Sequence, residues 1–190
     1  MPGQAKILSP REIKDIFSIL KSKRNKLIFG LGVYTGMRIG EIIRLKPEQV
    51  YTKDGGIRNT LKVVRSKKKN TVYSNIPTHP KLRDLLQSYY DKQSEFGWGF
   101  GWLFPSDESV EGHLSRIQAH LILKTAFDKF RLEGASTHSM RRTCLTNMSR
   151  SGVPLRTIQE ISGHASLSQL QEYLAVDPAD TREAINLLKY

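Results

Sequence analysis

Cysteine is nearly absent from this chain: Cys144 is the only one in 190 residues. A single thiol cannot close an internal disulfide, and alone it supplies no cysteine-rich metal cluster. Long apolar runs are also missing, since no stretch approaches the roughly 18 residues that a membrane-crossing helix needs. The first residues, Met1 to Lys6, contain no apolar segment of the signal-peptide kind. No glycine-rich phosphate loop ends in Lys-Ser or Lys-Thr, and no acidic cluster has metal-ligand spacing. Acidic residues are in short supply, with 18 Asp and Glu against 30 Lys and Arg, leaving a net charge of +12. These shortages together fit a soluble, cytoplasmic, basic chain and offer no nucleotide or metal cofactor site.

What is present fits one domain. Hydrophobic residues make up 38% of the chain, with seven Phe, seven Tyr and two Trp, enough to fill a core. The positive excess favours a polyanionic partner, because each cation laid near a phosphate releases a bound counterion. Nucleic acid suits that charge better than a membrane surface, given the lack of apolar runs.

Apolar periodicity predicts a mostly helical chain with a small antiparallel β-sheet. Ser9-Pro10-Arg11-Glu12 has the N-cap, first-turn proline and capping-box glutamate of a helix start. Ile13, Ile16, Phe17 and Leu20 then mark one helical face. A second helix is expected from Lys26 to Tyr34, and a short one with Ile42, Ile43 and Leu45, stopped at Lys46-Pro47. After the Asp54-Gly55-Gly56 turn the pattern becomes that of strands, at Thr60 to Arg65 and Thr71 to Ile76. The basic run Ser66 to Asn70 joins them as a hairpin tip, within a sheet expected to have three strands. Helices return from Pro80, and from Leu114 to Phe130 with Ile117, Leu121, Ala126 and Phe130 facing inward. The last third is helical: around Arg141, at Ile158 and Ile161, from Leu167 to Ala175, and again from Pro178. The loop Phe96 to Trp102 is too short to serve as a domain linker.

Five residues carry the chemistry. Arg38 stands in Thr35-Gly36-Met37-Arg38-Ile39-Gly40-Glu41, and His138 and Arg141 form His-x-x-Arg on one face of a helix start. His164 follows Ser162-Gly163, and Tyr173 lies nine residues beyond it. Each alone reads as an ordinary surface arginine, a solvated helix face, a helix-cap neighbour or a core aromatic. As a set they match the needs of phosphodiester cleavage. The planar fork of arginine fits phosphate oxygens and stabilises charge that develops on them. Histidine moves protons near neutral pH. Tyrosine, a weak nucleophile at its free pKa of about 10, is helped by neighbouring cations that favour its phenolate.

In that order, these residues resemble the catalytic domain of the tyrosine recombinases, the phage-integrase family. The likeness extends through His138-Ser139-Met140-Arg141-Arg142-Thr143, Gly152-Val153-Pro154, Ile158-Gln159-Glu160 and Ser162-Gly163-His164, and covers the chain from Leu8 to about Val176. It implies that Tyr173 attacks a scissile phosphate to form a 3′-phosphotyrosyl link. Arg38 and Arg141 would clamp the non-bridging oxygens, His138 would take the tyrosine proton, and His164 would hydrogen-bond a phosphate oxygen. The family also uses a lysine at a hairpin tip to protonate the leaving 5′-oxygen. Lys67 fits that place best, with Lys68 and Lys69 adjacent to it. Glu41 reads as an orienting partner of Arg38.

The resemblance further implies double-stranded DNA as partner, self-association into a tetramer on two DNA sites, and accessory DNA-bending proteins. Residues 1–190 are expected to be one catalytic domain lacking the N-terminal core-DNA-binding domain that usual members carry. Three residues depart from the family pattern: Met140 and Ser162 where leucine is usual, and Leu170 where threonine is common. The rival readings are a type IB topoisomerase-like relaxing enzyme, a non-catalytic DNA-binding module of the same fold, and an unrelated basic helical protein.

Overall fold

In the computed structural model, the described residues are 4–66, 71–94, 101–106 and 112–174, together with Asn186. Lys67, Lys68 and Lys69, most of the Phe96 to Trp102 loop, Ala175 and the helix expected from Pro178 lie outside them.

Helix α1 (Pro10–Ile19) starts as its capping box requires: Ser9 Oγ accepts from the Glu12 N–H, and the Glu12 carboxylate accepts from the Ser9 N–H at 2.8 Å. Helix α2 (Lys23–Thr35) is the centre of the core. Leu27, Ile28, Phe29 and Leu31 are all fully buried, as expected of a helix apolar on every side. Helix α4 (Pro80–Ser94) covers one side of it through Leu82 and Leu86, and α6 (Thr137–Arg150) covers another. At the second crossing a Cβ on Gly32 would stand 2.6 Å from Met140 Sδ, so the close approach of α2 and α6 depends on that glycine. Helix α3 (Ile39–Ile42) and a 3₁₀ turn (Pro47–Gln49) lead to the strands.

Among the described residues the sheet has two strands rather than the expected three. Strand β1 (Thr60–Ser66) pairs antiparallel with β2 (Thr71–Pro77), with Leu61 opposite Ile76. The third contribution shrinks to a single bridge between Tyr51 and Ile57. The Thr52 to Gly56 turn, closed by the Thr52 N–H donating to Gly56 O at 2.7 Å, leaves no length for a strand.

Helix α5 (Arg116–Lys129) overturns another expectation. Ala119, Leu123, Ala126 and Phe127 face the core, whereas Ile117 is 72% and Leu121 54% exposed, and Phe130 is also exposed. The helix carries two apolar stripes, and periodicity cannot choose between them; packing does. Helix α7 (Leu155–Ser162) and the short α8 (Leu167–Gln171) complete the fold, and hydrogen-bonded turns continue from α8 through Tyr173 and Leu174. Leu145, Ile158 and Leu170 form a second small core, onto which Tyr173 and Leu174 pack. No helix among the described residues is long and apolar enough to cross a membrane.

Candidate active site

The site begins where α2 ends. Gly36 adopts φ +66°, a left-handed cap that only glycine enters readily, and its N–H donates to Gly32 O at 3.1 Å. The reversal brings Arg38 to the N-cap of α3. There the Glu41 carboxylate accepts twice, from the Arg38 backbone N–H at 2.8 Å and from Arg38 Nη1 at 2.9 Å. Glu41 is thus an orienting partner. The Arg38 side chain remains 40% exposed.

Helix α6 brings the next pair. Ser136 caps it by accepting from the His138 N–H at 3.2 Å, which fixes the first turn. His138, Arg141 and Arg38 line one cleft of about 370 Å³, walled by Arg116, Ile117 and His120 of α5. Of the exposed apolar residues of α5, Ile117 therefore lies at the candidate site. Burial first, then Arg141, Arg38 and Arg116, hold the His138 pKa below its ordinary value.

Arg141 is 1% exposed and ties three segments together. Nη1 donates to Gly36 O at 2.6 Å, Nη2 donates to Ser162 O at 2.9 Å, and Nη2 lies 3.0 Å from His164 Nε2. Its buried Nε has no hydrogen-bond partner among the described residues. Desolvation, with Arg38 next, lowers its pKa to about 10, which leaves it charged at neutral pH.

Because arginine only donates, His164 Nε2 must accept, so the imidazole is neutral with its proton on Nδ1. Nδ1 then meets Ser162 Oγ at 2.9 Å, and that hydroxyl also reaches Gln159 O at 3.3 Å. Gln159 Nε2 in turn donates to His164 O at 3.1 Å. Burial, reinforced by Arg141, Arg38 and Arg65, pushes the His164 pKa down to about 4, consistent with the neutral ring.

Tyr173 closes the arrangement within the same chain. Its ring lies 4.9 Å from that of His164, and the Arg141 guanidinium carbon sits 5.5 Å from its centroid. Arg142 secures the turn behind it: Nε donates to Tyr173 O at 3.3 Å, Nη1 to Ala5 O at 2.6 Å, and Nη2 to Gln4 Oε1. The structure thus brings Arg141, His164 and Tyr173 into contact, and sets Arg38 and His138 with Arg141 along the cleft. Lys67 lies outside the described residues.

Several neighbours escaped the sequence reading. Ser162, placed there only as a departure from the family pattern, is the partner of His164; a hydroxyl beside Gly-His, where leucine is usual, was its signal. Arg65, 5% exposed, lies on β1 near Glu41. A larger groove of about 950 Å³ adjoins Arg38 and is lined by seven Lys or Arg, including Arg44, Lys46, Arg58 and Lys62, against Glu41 and Glu48. Lys46 stands 5.7 Å over the Trp102 ring beside it. These cations come from separate segments and assemble only through the fold. Among the described residues, no three His, Cys, Asp or Glu side chains group as a metal site would.

Comparison with known proteins places this arrangement in a family. The model of the phage integrase family matches residues 6–180. Tyrosine recombinase XerA of Pyrococcus horikoshii is 30% identical over 187 residues, covering 97% of this chain and 61% of that protein. Transposase A from transposon Tn554 of Staphylococcus aureus is 26% identical over 191 residues, covering 96% and 52%. The chain therefore spans between half and two thirds of the length of these relatives. Among solved structures, a XerA recombinase superposes with a TM-score of 0.82 at 23% identity, covering all of this chain and 68% of the other. A XerH site-specific recombinase in a post-cleavage complex with its difH substrate superposes with a TM-score of 0.77 at 19% identity, covering 98% and 54%. The fold is that of the recombinase catalytic domain, and the chain belongs to the phage integrase family.

Proposed function

We propose that this chain is a site-specific DNA recombinase domain that cleaves and rejoins strands through a covalent 3′-phosphotyrosine. The carrying observation is the contact of Tyr173 with both His164 and Arg141 in one cation-rich site. Tyr173 Oη attacks the scissile phosphorus, forming a phosphotyrosyl bond as the bond to the 5′-oxygen breaks. His138 takes the phenol proton; burial and its cationic neighbours keep it in the neutral, accepting form at pH 7. Lys67, retained from the sequence reading, gives a proton to the leaving 5′-oxygen. A second strand's 5′-hydroxyl reverses the sequence, so the bond energy is conserved and strands exchange.

Arg38 and Arg141 hold the non-bridging oxygens, where developing charge needs fixed donors. The unpartnered Nε of Arg141 gains an acceptor when phosphate arrives. His164 must then donate from Nε2, the reverse of its role in the free protein. Ser162 makes that change possible, because a hydroxyl can accept from Nδ1 or donate to it. The XerH relative is described bound to its DNA substrate, and the basic groove beside Arg38 supports duplex DNA as the partner here. Self-association on paired sites, as a tetramer, and accessory DNA-bending proteins belong to the same proposal.

The test is covalent capture. Nicked duplexes release a short end after cleavage and so trap the intermediate. A DNA adduct that survives denaturation is expected from the wild type and lost in Tyr173→Phe. An adduct that persists in the mutant removes Tyr173 as nucleophile. A wild-type protein that binds DNA at low salt but never forms an adduct leaves a binding module instead.

A further inference from the structure

Strand β1 alternates Leu61, Val63 and Arg65 on its buried face, at 0%, 1% and 5% exposure, with Val64 outside at 44%. An arginine therefore occupies a place where the strand period calls for an apolar side chain. Its contacts are few for a buried cation. Nη2 donates to Ile161 O at the end of α7, and Nε lies 3.9 Å from Glu41 Oε1, the oxygen that accepts from Arg38 Nη1. Neither Nε nor Nη1 has a hydrogen-bond partner among the described residues. The guanidinium packs closely against Gly163: a Cβ there would fall 1.7 Å from Nη1 and 2.6 Å from Cζ.

A buried guanidinium left with two unsatisfied nitrogens lowers stability, and an apolar residue of similar size would commonly raise it. Arg65 is therefore a poor stabiliser, and its value has to lie elsewhere. Its position names the role. On one side it faces Glu41, which holds Arg38. On the other it grips the Ile161–Gly163 turn, whose Ser162 carbonyl and following His164 hold Arg141. The two arginines of the site come from α3 and α6, and Arg65 is a side chain that touches the supports of both.

We propose that Arg65 is a positioning residue that fixes the spacing between Arg38 and Arg141, so that both can grip one phosphate. This rests on the cleavage reading above. In this role Arg65 sets geometry through Glu41 and the Gly163 turn, its Nη2 held by Ile161 O, while Arg38 and Arg141 take the phosphate. Two guanidiniums, those of Arg38 and Arg65, on the one carboxylate of Glu41 also leave the site cationic before DNA arrives.

Arg65→Met keeps the volume and removes the charge and the fork. Its melting temperature should equal or exceed that of the wild type, and its affinity for a nicked duplex should stay close to wild type. Its single-turnover adduct formation at saturating DNA should fall about 100-fold, the scale expected for misplacement by about an ångström. Arg65→Lys, which has one ammonium in place of a fork, should recover only part of that rate. A saturating rate equal to the wild type's overturns the proposal. So does a loss confined to affinity, which would make Arg65 an ordinary DNA contact.

A second measurement needs no DNA. Gly163→Ala should lower the melting temperature far more in the wild type than in Arg65→Ala, where the clashing guanidinium is gone. Equal losses in the two backgrounds would show that Arg65 does not pack on Gly163, and would also overturn the proposal. If the wild type forms no adduct, the cleavage reading falls regardless of Arg65. If the wild type does and Arg65→Met matches it, only the Arg65 assignment falls.

Discussion

Arg38 and Arg141 carry the same guanidinium and line the same cleft, in very different settings. Arg38 sits at the tip of a four-residue helix, half open to solvent, held by Glu41 alone. Arg141 is buried in a fourteen-residue helix, and its hydrogen bonds reach the end of α2 and the turn after α7. In the proposed mechanism both are phosphate ligands, but Arg141 is a structural tie as well. Two residues that sequence treats as equals thus divide the work, and their substitutions should fail in different ways.

Arg141→Gln should produce the largest effect. It leaves Gly36 O, Ser162 O and His164 Nε2 without their donor, at a cost of about 3 kcal/mol or more. Urea denaturation should show that loss, and covalent adduct should vanish with it. Arg38→Gln breaks only a half-exposed ion pair, worth no more than about 1 kcal/mol. Its adduct formation should nonetheless fall by about 100-fold or more, as when one donor to a transition-state oxyanion is removed. Comparable destabilisation in the two variants would erase the contrast drawn here.

Ser162→Ala should cost about 1–2 kcal/mol by stranding His164 Nδ1. The imidazole ¹⁵N shifts should report the tautomer directly, with the proton on Nδ1 in the free wild type. A proton found on Nε2 in the free protein would contradict the arrangement around Arg141. The variant should also lose cleavage more than DNA affinity.

Acid should destabilise the fold through His164. Histidine in an unfolded chain titrates near 6.5, whereas His164 in the fold titrates at about 4. Between those values the unfolded state binds more protons, so stability is full above the unfolded pKa and is lost as pH falls toward the folded one. His138, also shifted down, adds in the same direction. Melting temperature measured from pH 7 to pH 4 should decline, and His164→Gln should flatten part of that slope. Arg142→Gln should have the smallest effect of the set, lowering adduct yield several-fold by freeing the Tyr173 turn, with little change in urea midpoint.

Local signals in the chain were readable where residues act on near neighbours. The Ser9 to Glu12 capping box, the stop at Gly36 and the one-turn spacing of His138 and Arg141 appear in the structure as the sequence implied. So does Glu41 beside Arg38, a pairing three residues apart. The misreadings fell where two local patterns compete. Helix α5 offers two apolar stripes, and of Ile117, Leu121, Ala126 and Phe130 only Ala126 is buried. Tyr51 and Ile57 satisfy a single bridge, too little for a third strand.

The sequence by itself determined the family, the helical periods, the order of the motif residues and the cationic surplus, because each is written in spacing or composition. Tertiary structure alone decided that Arg141 is buried, that it sets the tautomer of His164, and that Arg65 lies against Gly163. It also gathered the groove cations from separate segments. Those outcomes depend on contacts between residues 21 to about 100 positions apart. Burial and hydrogen-bond partnership at such range are set by how helices pack, and no local period records them.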